Sequence, residues 1–265
     1  MRAGENMGQY GEIIEDFYGE RTRMLDALKE NRNRHIVMRL IGALAFRTHC
    51  PEYGSIQDKL GREFTDFDFA SYPRYAKDIK RLLTDLGYQE DKQVTQLFGE
   101  RRMLFHDHVF DRHVDIFFNV LDFCHLISFV GRLEAEEQTL PLAELLLEKM
   151  QIVRINEKDL IDSIMLLREH SIGDIDQETI NSTIISRILA NDWGFWRTVT
   201  SNFKLLDEKL DHYDGLTKED RQVVRNRIKM LEERIEAEPK TLRWKARARI
   251  GEKMKWYKDV EELIR

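Results

Sequence analysis

Residues 62–69 read REFTDFDF, and the rest of the chain is best read outward from them. Aromatic and acidic residues alternate here, which is the period of a half-buried strand and predicts one over Glu63–Phe69. On a strand, residues i and i+2 share a face. Asp66 and Asp68 therefore point one way, and Phe67 and Phe69 point into the core. Two neighbouring carboxylates repel unless a positive charge sits between them, and a hard divalent cation such as magnesium supplies it through oxygen ligands. A bare D-x-D is short. A solvated strand face, or a pair bridged by an arginine, would show the same letters, so the surroundings have to decide.

Downstream, Asp115 lies in HVDIFF, residues 113–118. Met103–Phe110 and Arg112–Phe118 read as two strands around a turn at Asp111. Asp115 then shares a face with His113 and Phe117, and His113 would be placed to assist a proton transfer. Three acids from two strands match a two-metal phosphoryl-transfer site. Upstream, RLIGALAF (39–46) places Gly42 between the apolar run His35–Ile41 and a helix start. A glycine there lets backbone N–H groups approach a phosphate at the helix N-terminus. Glu20–Asn31 reads as a helix, and so does the amphipathic Tyr75–Leu86, closed by Gly87. Helices and strands thus alternate up to residue 118.

The second half has a different character. Between Pro141 and Pro239 there is no proline, and Leu, Ile, Glu, Lys and Arg dominate. Helices are predicted over Leu142–Gln151, Glu157–His170, Gln177–Asn191, Phe195–His212, Thr217–Ala237 and Thr241–Leu263. Thr217 followed by Asp220 reads as an N-cap with an acid in the first turn. The expected fold class is therefore α/β (α+β): a mixed sheet with helices over residues 1–135, then an all-helical part over 136–265.

The pieces assemble into a resemblance. The Gly42 turn, Arg62 four residues before Asp66-x-Asp68, the helix-ending Gly87–Tyr88 and the third acid Asp115 are similar, in that order, to the polymerase-β-type nucleotidyltransferase superfamily. The stretch LPLAELLLEKMQIVRINEKDLIDSIMLL (140–167) resembles the segment after the catalytic domain in the AbiEii-type group, which includes toxins of toxin–antitoxin systems. Its motif falls on Lys149, Arg154, Lys158, Asp159 and Asp162. The resemblance implies a nucleotidyltransferase fold with two magnesium ions on Asp66, Asp68 and Asp115, and an NTP as substrate. It further implies that Gly42 and Ala43 line the phosphates and that Arg62 neutralises them or braces the acids. Lys149 would contact the nucleotide, with Arg154 and Asp162 beside it, and Asp159 would activate the acceptor. Ala43 departs from the family's second Gly or Ser, which keeps a catalytically inactive nucleotidyltransferase-fold binding module as the rival reading.

Charge suggests the acceptor. The 265 residues carry a net charge of −6, yet residues 240–258 hold eight basic residues against Glu252 alone. Trp244, Trp256 and Tyr257 interleave with them, a pattern suited to RNA phosphate and bases. RNA, with tRNA foremost, is the favoured acceptor. A small molecule such as an antibiotic is the alternative, and an antitoxin is the expected protein partner. The dense HDHVFDRH (106–113) reads as a surface hairpin rather than a zinc site. Two cysteines, Cys50 and Cys124, make no disulfide framework and read as buried spectators. No apolar run approaches the roughly 18 residues of a membrane span, and the N-terminus lacks the apolar core of a signal peptide, so a cytoplasmic location is expected.

Overall fold

The structure, a computed structural model, describes residues 9–259. The chain divides into two units. One takes the described part of Met1–Ala45 with Phe64–Val120 and Ser128–Leu140. The other takes Phe46–Glu63, Leu121–Ile127 and the described part of Pro141–Arg265.

In chain order the described elements are α1 (Phe17–Lys29), β1 (Met38–Ile41), α2 (Gly42–His49), α3 (Ser55–Lys59), β2 (Phe67–Ser71), α4 (Ala76–Asp85), β3 (Gln89–Glu90), α5 (Lys92–Phe98), β4 (Arg102–Asp107) and β5 (Arg112–Phe118). A short pair follows, β6 (Val120–Asp122) and β7 (Leu126–Ser128). Then come α6 (Leu142–Met150), α7 (Glu157–Glu169), β8 (Ser171–Gly173), β9 (Thr179–Asn181), α8 (Ser182–Asn191), α9 (Trp193–Lys209), α10 (Lys218–Ala237) and α11 (Leu242–Ile250).

The first unit is built on a five-stranded mixed sheet in the order β1-β2-β5-β4-β3. β2 runs antiparallel to β1 and parallel to β5, and β5 pairs antiparallel with β4. Phe67, Phe69, Phe105, Val114 and Ile116 are fully buried on the core face, so the alternation in the sequence is the alternation of the pleat. The predicted strand over Glu63–Phe69 is shifted: β2 starts at Phe67, leaving Asp66 one residue before it. The neighbours set that limit. β1 pairs only as far as Ile41 opposite Asp68 before Gly42 turns the chain, and the ladder with β5 begins at Phe67 opposite Val114. Glu63–Asp66 thus have no ladder to join.

The second unit is mainly α6–α11. Thr217 caps α10 and exchanges hydrogen bonds with Asp220 in both directions, a capping box, worth about 1 kcal/mol. The helical part also contains strands. β8 and β9 pair parallel across a connection of only five residues, Asp174–Glu178, where parallel strands ordinarily need a far longer crossover. The predicted helix over Gln177–Asn191 consequently begins only at Ser182. The Asn181 side chain accepts from the Ile184 N–H, which caps the helix and ends the extended Thr179–Asn181. The helix predicted over Thr241–Leu263 stops at Ile250, because Gly251 takes φ +58° as its C-cap. Residues 260–263 lie outside the described residues. Among the described residues, no helix is long and apolar enough to cross a membrane.

Candidate active site

In the first unit, β2 and β5 place Asp68 and Asp115 side by side as register partners on adjacent parallel strands. Asp66 leads into β2, and the His113 Nε2 lies 3.3 Å from its Oδ2. Asp66, Asp68 and His113 are half-buried, whereas Asp115 is only 1% exposed. Gly42 completes the group. Its φ is +68°, in the left-handed region, and a Cβ built on it would lie 2.6 Å from Asp68 Oδ2. The turn that opens α2 therefore touches the D-x-D carboxylate, and only a glycine allows it. Ala43, the departure from the family pattern, is an ordinary half-buried helical residue.

One member of this group was not foreseen. Arg102 forks onto Asp115, Nε to Oδ1 and Nη2 to Oδ2, both at 2.6 Å. That bidentate bond to Asp115 is the main cause that holds the Arg102 guanidinium above its ordinary range. Burial works against it, and the charges of Asp115 and Asp68 add to the rise. A signal existed: Leu104 is the register partner of Asp115, so Arg102 lies diagonally opposite on the same pair of strands. As donors the acids suit a hard cation. Asp66 and Asp68 offer the oxygen donors such an ion takes, and both oxygens of Asp115 are engaged by Arg102.

The second unit holds the Lys149 constellation. Lys149 Nζ lies 3.2 Å from Glu148, 3.5 Å from Asp159 and 3.6 Å from Asp162. Burial alone would lower the Lys149 ammonium, but these three carboxylates outweigh it and hold the group above its usual value. Asp162, fully buried, also accepts from Arg62 Nε at 3.1 Å and from Gln57 Nε2 at 2.7 Å. Arg62 was expected to neutralise a triphosphate or brace the metal-binding acids; it forms an ion pair with Asp162. Glu148 and Gln57 were not foreseen, although Glu148 adjoins Lys149 in sequence. Arg154 is exposed on the connection between α6 and α7. The expected residues thus fall into two groups, Gly42, Ala43, Asp66, Asp68 and Asp115 in one unit and Arg62, Lys149, Asp159 and Asp162 in the other.

The remaining sequence motifs find places too. In HDHVFDRH, Asp107 forms a buried pair with Arg112 at 2.8 Å and accepts from the Val109 N–H. His106 pairs with Asp91 at 3.2 Å. Their roles are those of a hairpin. Trp196 and Trp244 meet edge to face at 5.2 Å, and Trp193 meets Trp256 at 6.2 Å. The aromatics of the basic segment therefore pack on α9, while Arg243, Lys245, Arg249 and Lys253 are exposed. Cys50 and Cys124 are buried, and desolvation pushes the Cys50 thiol far up, so it stays protonated. No family model matches the chain, and no curated protein sequence does.

Proposed function

We propose that the protein is a magnesium-dependent nucleotidyltransferase that moves an NMP from an NTP to an acceptor and releases pyrophosphate. The observation that carries this reading is the contact of Gly42 with Asp68. The left-handed glycine that opens a helix lies directly against a carboxylate whose strand neighbour is Asp115, which supports a phosphate-binding role for the turn. Magnesium held by Asp66 and Asp68 would screen the triphosphate charge and favour an ionised acceptor oxygen. The Gly42 turn would present backbone N–H groups to the phosphates. His113, beside Asp66, would take or relay the acceptor proton. The exposed Arg243, Lys245, Arg249 and Lys253 favour RNA as acceptor through its phosphates. A toxin restrained by an antitoxin is the physiological setting that goes with the AbiEii-type motif.

The bidentate hold of Arg102 on Asp115 favours a second reading, an inactive copy of this fold used as a binding module. One experiment separates the two. Purified protein and magnesium are incubated with each α-labelled NTP and with total tRNA, total protein or a small-molecule panel, with Asp66→Asn/Asp68→Asn as control. Label transferred by the wild type alone supports the enzyme and names its base and acceptor. No transfer, together with NTP binding that is unchanged in the double variant, supports the module.

A further inference from the structure

The second unit carries a separate cluster of metal-ligating side chains. His49 ends α2, His170 caps the C-terminus of α7, and Glu178 closes the short connection between β8 and β9. One ligand atom from each lies within 4.8 Å of the other two. Both histidines are buried and Glu178 is exposed. The Glu178 carboxylate faces both rings at once, with Oε1 3.6 Å from His49 Nδ1 and Oε2 3.6 Å from His170 Nδ1. That separation is long for a direct hydrogen bond. It is close to the spacing of about 3.4 Å between two ligands of one tetrahedral ion with bonds of about 2.1 Å.

The hydrogen bonds of His170 sharpen the point. Its Nε2 lies 3.0 Å from the His49 carbonyl oxygen, and its Nδ1 lies 3.3 Å from the Glu178 carbonyl oxygen. With an N–H donated from Nε2 to the His49 carbonyl, Nδ1 is the ring atom that faces the Glu178 carboxylate and is placed to ligate a cation. An N–H donated to a backbone carbonyl is also how metal-bound histidines are commonly oriented. Backbone geometry adds an independent sign. Glu178 has φ +47°, sparsely populated for a glutamate, at the end of an unusually short parallel return. Strain of this kind is sustained where something over-determines it.

We propose that His49, His170 and Glu178 form a binding site for a zinc-class divalent cation, which clips the β8–β9 return onto the ends of α2 and α7. Two imidazoles and one carboxylate suit zinc or cobalt better than magnesium or calcium. The exposed side of Glu178 leaves a fourth position for water. This site is independent of the Asp66–Asp68 pair and of any nucleotide chemistry.

Cobalt(II) titration of the full-length, metal-stripped protein tests it, read by the visible d–d absorption and by the thermal unfolding midpoint. The wild type and Asp66→Asn/Asp68→Asn should each bind one equivalent with four-coordinate absorption, displaced by zinc, and with a raised midpoint. Glu178→Gln, at an exposed position, should stay folded and bind at least about tenfold more weakly, and His170→Ala more weakly still. Equal affinity in the wild type and Glu178→Gln would overturn the proposal. So would a folded wild type that binds no cobalt, because the cluster would then be a plain ion pair.

Discussion

Arg102 on β4 and Asp115 on β5 form a fork-to-carboxylate pair with both bonds at 2.6 Å, and β5 is the strand next to the one that carries Asp68. In the proposed site this guanidinium would have one of two roles, to hold Asp115 in readiness or to take the place of a metal.

Arg102→Ala separates these roles. Asp115 would be left buried without its partner, and stability should fall by about 3 kcal/mol or more. If Asp115 also serves magnesium, millimolar magnesium should restore part of that loss, and should not do so in Arg102→Ala/Asp68→Asn. Urea unfolding of the variants with and without magnesium reads this directly. Equal restoration in both would remove Asp115 from the metal site.

Asp162 is the hub of the second unit's polar core. Gln57, Arg62 and Lys149 all converge on it. Asp162→Ala should cost about 3–5 kcal/mol, since it takes this acid from Arg62 and one of three carboxylates from Lys149. Replacing the Arg62 pair together, as Asp162→Leu/Arg62→Met, should recover part of that stability and leave Lys149, still held by Glu148 and Asp159, to serve a nucleotide. Chemical denaturation measures the first outcome and NTP binding the second.

The physics explains which features were legible. Phe67 and Phe69 fix the face of Asp66 and Asp68, because burial enforces the period of the pleat. The start of β2 was not legible, because it depends on how far β1 and β5 reach. Thr217 and Asp220 announce a helix start through purely local hydrogen bonds. Arg102 escaped notice because its meaning is a diagonal register relation between β4 and β5. His49 lies 121 residues before His170, with Glu178 eight residues further on, and no spacing rule links the three. The β8–β9 return hid inside a composition that favours helices.

Gly42 should tolerate no side chain. Gly42→Ala forces a Cβ to 2.6 Å from Asp68 Oδ2 at φ +68°. The combined strain and clash should destabilise the first unit by about 1–3 kcal/mol and weaken magnesium-dependent NTP binding. Ala43→Ser and Ala43→Gly, at a half-buried helical position, should leave both nearly unchanged. The comparison is made by urea unfolding and by titration with a fluorescent NTP analogue. A tolerant Gly42 would undo the argument that the turn and Asp68 act as one unit.

His125 gives the second unit a defined response to acid. Its ring stacks on Phe195 at 4.9 Å with an interplanar angle of 6°, and its Nε2 is 2.8 Å from Thr198 Oγ1. Burial pushes the imidazole down from 6.5 to about 4, slightly opposed by the charge of Asp192. The unfolded chain therefore takes up a proton near pH 6.5 that the folded chain refuses until about pH 4. Stability from the neutral ring is fully present above pH 6.5 and is lost as pH falls through that window, to a total of about 3 kcal/mol. His125→Asn, which cannot titrate, should be less stable at neutral pH through lost packing, yet should show a shallower decline on acidification. Urea unfolding at closely spaced pH values would show it as two curves that converge towards pH 4. Parallel curves would mean that another group carries the acid response and that His125 is protonated within the folded protein at little cost.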